Sequence, residues 1–551
     1  MIRHLAIALC LTSSVLRSFS GDFESNWHQW RGPENNGVSR SATPPLEWSE
    51  TKNVGWKVGI EGQGTSSPIV WNEKVFLTTA INTGEVDPLL PKPEDQPDRV
   101  FGIKFPNTTY EMVVLCLDRN TGELLWKDTA TTQVPQEGHH KDASFASPSP
   151  FCDGERLYCW FGSAGLFAYS LDGKKLWERD LGRARVGASL GEGSSPVVHQ
   201  GKLVLVRDHS GQSSIECLEA ATGRTIWKKD RDEGNAWATP AIAERNGIVQ
   251  VITTATNAVR SYNLENGEEI WWATGLTNNS TPCPIVDGDT VFCMTGYQGH
   301  ALLAIPLTGT GNVTERIRWR ADRGTPYVPS PILYGEQLYF SQSNQGILTS
   351  RRAKDGSEVI ERTRVPELGD LYASPVGANG RIYWVGRKGT TVVTEPGDTF
   401  KVLSTNHLND TFHASPALVG KQLILRGMQF LYCLEEGGSV DGTKVTASPM
   451  REPKNSGKGS TDLRRESETR MLLEQIAERA LPEDYPGPGH QEFVDRWFRT
   501  AGPKGARVGQ LWREQQRLFP VMKNRGESFI KILDYVRDGG SESGRREEDG
   551  Q

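Results

Sequence analysis

A Ser-Pro or Thr-Pro step recurs along this chain, at Ser67, Ser147, Ser195, Thr239, Thr281, Ser330, Ser374 and Ser415. Successive copies lie 41 to 49 residues apart, except for one long gap between Ser67 and Ser147 that carries an insertion. A period of about 40–50 residues built from short strands marks a β-propeller, in which each repeat is one blade. Eight copies predict an all-β chain, an eight-bladed β-propeller with four-stranded antiparallel blades. The proline has a physical place in such a fold. It cannot donate to a strand ladder, so it belongs on an edge strand or at a strand start. The innermost strand of a blade is an edge facing the central channel, and proline there also blocks unwanted pairing. The residue before the step is small in most copies, among them Ser66, Ala146, Ala238 and Ala373, as eight strands converging on one axis require.

One repeat can be read strand by strand. Val197-Val198, after Ser195-Pro196, opens it; Gly201 turns the chain into Leu203–Arg207; Ile215–Leu218 follows. The tight turn Ala221-Thr222-Gly223 then leads into a fourth strand, Arg224–Trp227. The same hairpin returns at Asn120-Thr121-Gly122 to Trp126, Leu171-Asp172-Gly173 to Trp177, and Glu265-Asn266-Gly267 to Trp271. Fourth strands are also recognisable near Trp319 and Ile360, while the stretch from Pro396-Gly397 to Leu403 has lost the Trp. The last copy, from Ser415 through Phe430–Leu434, has no fourth strand of its own. Val54-Gly55-Trp56-Lys57-Val58 near the start is a strand without an owner. Trp56 lies 11 residues before Ser67, as Trp319 lies 11 before Ser330, so this strand is expected to close the ring. Ile81–Tyr110, rich in Pro and Asp, reads as a loop inserted over one face.

Residues 1–20 read as a secretory signal. Arg3 and His4 precede the apolar run Leu5–Leu11, and Ser18-Phe19-Ser20 fits the small-x-small cleavage rule. An uncleaved anchor is the alternative. The propeller is expected over 21–438, a linker over 439–463, a small C-terminal α-helical extension over 464–540, and a disordered tail over 541–551. Export implies an oxidising compartment, and seven cysteines follow the signal. Cys116, Cys217 and Cys433 share one repeat position in separate blades, too far apart to bridge, and read as small buried strand residues. Cys283 and Cys293 fall in one blade and are either paired or free. A net charge of −6 gives no basic footprint for nucleic acid, and no later apolar run is long enough for a transmembrane span.

The unit running from Cys217-Leu218-Glu219 through Thr222-Gly223 to Trp227 resembles the pyrroloquinoline-quinone (PQQ) repeat, and recurs imperfectly from Ser67 to Leu434. Trp30-Arg31-Gly32-Pro33, and Ala146–Pro150 through Gly165–Tyr169, resemble exported PQQ-like propeller proteins of planctomycete type. That family is similar both to quinoprotein alcohol dehydrogenases and to BamB-like scaffolds of outer-membrane assembly. The resemblance implies the fold. Function has to come from the site, because one propeller hosts catalysts and pure binders. The enzymes typically carry adjacent cysteines against the quinone, and c-type haem needs Cys-x-x-Cys-His; neither pattern occurs here. Calcium beside the quinone needs oxygen ligands and an Asp base. Asp208, Asp370 and Glu192 lie near strand ends without an assigned site. His139-His140, with Lys141 and Asp142, reads as a polar loop rather than a metal site. Asp208-His209-Ser210 has the letters of a hydrolytic triad at a spacing that cannot adopt its geometry.

One set of residues points to binding. Phe145, Trp237, Tyr372 and His413 each stand two before a Ser/Thr-Pro step, with Tyr327 close to another. If every inner strand begins at one face, these side chains ring the channel mouth and suit a peptide, a sugar or a flat cofactor. Inter-blade packing is the competing role. The expectation is therefore an exported, periplasmic or envelope-associated, non-catalytic binding or assembly scaffold without a cofactor. Its expected partner is an envelope protein or peptide, with carbohydrate as a second class. The alternatives are a divergent PQQ- and calcium-dependent alcohol or sugar dehydrogenase and a carbohydrate-binding or sensor module.

Overall fold

The computed structural model describes residues 23–438. The expected signal, linker, helical extension and tail lie outside the described residues. Eight antiparallel meanders follow one another along the chain, and adjacent blades meet through their first strands. Blade 1 shows the pattern: Ile69–Trp71, Lys74–Val86, Thr108–Asp118 and Leu124–Gln133, paired in that order from the axis outward. Seven sheets have four strands. Blade 4 gains a short fifth, Gly311–Asn312, parallel to Glu269–Ala273. Blade 8 (Ala417–Val419, Gln422–Arg426, Phe430–Leu434) is completed from the far end of the chain by Val54–Gly59, with Trp56 opposite Cys433. The fold is thus an eight-bladed propeller.

The core lies between blades. Phe151 and Tyr158 of blade 2, for example, pack against Val197, Leu203 and Leu205 of blade 3. At the periphery a second device joins the blades. In five blades the fourth-strand Trp lies over the turn glycine of the next blade and donates its indole N–H to a carbonyl there, whereas Trp271 donates to Gln250 Oε1 of its own blade. Trp56 meets Gly122 and Arg119 O, Trp126 meets Gly173 and Leu171 O, and Trp177 meets Gly223 and Ala220 O. Trp227 meets Gly267 and Leu264 O, and Trp319 meets Gly356 and Ala353 O, all at 2.8 to 3.1 Å.

Around the axis runs a closed ring of hydrogen bonds, one residue per blade. The backbone N–H of Ser67 donates to Ser149 Oγ, Ser149 to Ser195 Oγ, Ser195 to Thr239 Oγ1 and Thr239 to Cys283 Sγ. Cys283 donates to Ser330 Oγ, Ser330 to Ser374 Oγ, Ser374 to Ser415 Oγ, and Ser415 back to Ser67 Oγ. The oxygen-accepted links are 2.9 to 3.0 Å and the sulfur link 3.3 Å. This corrects the register of the repeat in two blades. The axial step is Ser149-Pro150 and Cys283-Pro284, not Ser147-Pro148 and Thr281-Pro282. Both blades carry tandem X-Pro steps, and the second of each pair reaches the ring.

A second difference concerns the insertion in blade 1. Instead of a loop throughout, its two strands run on as a hairpin, with Ile81 opposite Glu111 and Val86 opposite Thr108. Gln96–Lys104 group separately from the propeller; within that group Lys104 Nζ donates to Gln96 O at 2.9 Å. All seven described cysteines are buried and free, including Cys283 and Cys293. No helix among the described residues is long and apolar enough to cross a membrane.

Candidate functional site

In a four-stranded meander the links from strand four to the next strand one, and the loops between strands two and three, share one face. The remaining turns share the other. The first face surrounds the upstream ends of the inner strands and carries every expected mouth residue. The second is crossed by the N-terminal segment. Trp27 exchanges two hydrogen bonds with Val70, His28 O accepts from Cys152 N, and Gly37 O accepts from Gly377 N. Thr43 N donates to Gly420 O. Between these contacts Arg31 is fully buried, its guanidinium donating to Pro375 O at 3.1 Å and Pro331 O at 2.6 Å. Those prolines immediately follow ring residues Ser374 and Ser330. Arg31 therefore stands at the channel's floor, and burial lowers its pKa to about 10.

At the mouth the structure brings Tyr372 and His413 together, their rings 5.4 Å apart. Tyr327 stacks on Tyr297 at 4.8 Å, and Trp237 donates its indole N–H to Gly191 O at 2.7 Å. Phe145 stands apart. It meets His139 and Tyr110 at 4.5 and 5.0 Å, because the register shift in blade 2 places it four residues before the ring instead of two. All five residues are half-buried.

What links this face together is a residue the sequence left in a polar loop. The link into blade 2 carries Asp142 to blades 7 and 8. Tyr372 Oη donates to Asp142 Oδ2 at 3.1 Å, Arg387 pairs with Asp142 Oδ1, and His413 Nδ1 meets Asp142 O at 3.0 Å. The Arg387 guanidinium also lies 4.2 Å over the Tyr372 ring and 3.3 Å from His413 Nε2. The contacts fix the tautomers. His413 donates from Nδ1 to a carbonyl, so its Nε2 accepts from Arg387 and the ring is neutral. Burial, then the Arg387 charge, push its pKa down to about 4. His140 Nδ1 accepts the Asp142 N–H at 3.2 Å, so its 3.7 Å approach to the Asp142 carboxylate is not an ion pair. Burial works to raise the Asp142 pKa, but the Arg387 charge, with the Tyr372 hydroxyl, holds it below the usual carboxylate range. Burial, then Asp142, push the Tyr372 hydroxyl up to about 12.

The other singled-out groups have structural partners. Asp208 makes a two-pronged ion pair with Arg231, 2.7 and 3.0 Å, with both side chains fully buried. Glu192 accepts the Ser163 N–H at 2.6 Å, and burial raises its pKa. Asp370 is exposed, and its carbonyl accepts from Arg387 N. His209 Nδ1 accepts from Gly211 N, so it does not form a triad with Asp208 and Ser210. A calcium–quinone pair needs several oxygen donors converging on one cation. Among the described residues no group of three or more His, Cys, Asp or Glu side chains is placed to hold a metal ion.

The eight-fold meander, the Trp–Gly docking and the ringed axis define a PQQ-like propeller. The family model described as outer membrane protein assembly factor BamB matches residues 38–212 and 211–436, and the chain belongs to that family. No curated protein compared with the chain matches it. Among solved structures, a europium-containing methanol dehydrogenase is 10% identical, covering 76% of this chain and 92% of its own, with a TM-score of 0.50. BamB from Moraxella catarrhalis is 12% identical, covering 59% and 93%, with a TM-score of 0.44. A quinohemoprotein alcohol dehydrogenase from Pseudomonas putida HK5 is 11% identical, covering 89% and 93%, with a TM-score of 0.49. At these identities the likeness is one of fold.

Proposed function

We propose that this chain is an exported, non-catalytic binding scaffold of the cell envelope that meets its partner protein through the mouth face of the propeller. One observation carries the reading. The mouth's carboxylate, guanidinium and imidazole groups are engaged with one another, while Trp237 and Tyr327 stand half-buried on the same face. That is the surface of a binder, with amphipathic rings for contact and its clustered polar groups satisfied by one another. Membership of a family described by outer-membrane assembly supports the same reading.

The test places a photo-crosslinking residue at Trp237 in the full chain within intact envelopes, and another at exposed Lys421 on the opposite face. A defined protein adduct from position 237 and none from 421 is the expected result. Purified protein supplied with PQQ and calcium should show no quinone absorbance and no dye reduction with alcohols or sugars. PQQ-dependent turnover would overturn the scaffold reading in favour of a dehydrogenase. Glycan capture without a protein adduct would replace it with a carbohydrate module.

A further inference from the structure

The mouth holds a carboxylate-binding pocket that the chain fills with its own loop. Arg387 supplies the charge, Tyr372 a hydroxyl donor, and His413 a neutral wall that also fixes the loop backbone. The occupant, Asp142, arrives from 230 to 271 residues away in sequence. It belongs to a different blade link from every group that holds it. The Arg387 Nε is buried without a hydrogen-bond partner among the described residues. Lys141 and Lys388 are exposed beside the pair, and Asp370 is the exposed opposing charge. The chain is acidic overall, so this local basic flank is not a consequence of composition.

We propose that this pocket is a recognition site for an acidic segment of a partner protein, and that Asp142 is a built-in competitor which the segment displaces. The inference rests on the binding reading of the mouth face. Removing the Asp142 carboxylate leaves a half-buried guanidinium without its counter-charge, which is costly until another carboxylate takes the place. The occupant now in the pocket is a peptide bearing one carboxylate, which is why the ligand class is peptide. Apparent affinity is reduced by the fraction of molecules whose pocket is closed, so releasing the latch raises it by the inverse of the open fraction.

The experiment measures binding of fluorescein-labelled hexa-aspartate to the full chain by anisotropy, with hexa-lysine as control. Asp142→Ala should bind hexa-aspartate about tenfold or more tightly than the unaltered chain. Adding Arg387→Ala to it should remove the gain. If Asp142→Ala does not fold, Asp142→Ser, whose shorter neutral side chain leaves Arg387 without its counter-charge, gives the same reading. A folded Asp142 variant with unchanged affinity, or a gain that survives Arg387→Ala, overturns the pocket. If the gain is absent while position 237 still crosslinks a protein, the pocket fails and the scaffold stands.

Discussion

Each hydroxyl of the axial ring accepts a backbone N–H that proline-blocked neighbours leave without a ladder partner. All eight ring residues are buried. A buried donor left unmade costs about 1–3 kcal/mol. Ser374→Ala removes the acceptor of the Ser330 N–H and should destabilise by that amount in chemical denaturation. Thr281 holds only a local 3.3 Å contact to Asn279 O, and Thr281→Ala should stay within about 0.5 kcal/mol. Equal effects at the two positions would return the axial register to Thr281-Pro282. The contrast also shows why the register is not legible locally. Ser147-Pro148 and Ser149-Pro150 both obey the local rule for an edge-strand start. Only the bond from the neighbouring blade separates them, and no local pattern encodes it. The same holds for the site: Tyr372 and His413 were legible from their place in the repeat, whereas nothing in the sequence joins Asp142 to Arg387, 245 residues away.

The blade hairpin was legible because two signals coincide, a turn glycine and a Trp four residues later. In the structure they serve different contacts, the glycine receiving the previous blade's Trp and the local Trp, except Trp271 of blade 4, docking on the next. At Gly223, φ is +72°, and an added Cβ would stand 2.7 Å from the Trp177 ring. Gly223→Ala therefore combines a left-handed backbone with a clash that Trp177 cannot relieve without breaking its bond to Ala220 O. Its cost should reach about 2–4 kcal/mol, above the roughly 1 kcal/mol of a left-handed residue alone. Trp177→Ala in the same chain should make the alanine at 223 cheaper, and a double-mutant cycle with no coupling would refute the docking account. The blade 1 hairpin was illegible for the opposite reason. Beyond Ile81 its first strand is exposed on both sides as far as Val86, so no period-two apolar pattern marks it.

At the scale of the molecule, the N-terminal segment closes the propeller twice. Val54–Gly59 supplies the outer strand of blade 8, and Trp56, 1% exposed, docks that blade onto blade 1. Residues 27–43 cross the turn face, tying blades 1, 2, 7 and 8 and setting Arg31 beneath the ring. An ownerless strand with a Trp at the right distance pointed to the first closure. The second had no signal, because a segment that pairs by single bridges carries no strand pattern. The two roles predict a graded response. Trp56→Ala removes one large buried side chain, about 3–5 kcal/mol, and should lower the melting transition while leaving it cooperative. Deleting 21–60 removes a whole strand, the floor and the ring's last link together. That loss exceeds the lower end of a domain's stability, about 5 kcal/mol, so the truncated chain should show no cooperative transition by calorimetry. Adding residues 21–60 as a separate peptide should restore one, since the blade 8 edge and the floor contacts remain on the propeller to receive it. A truncated chain that melts at the temperature of the intact one would mean that seven complete blades and an open eighth hold the ring unaided.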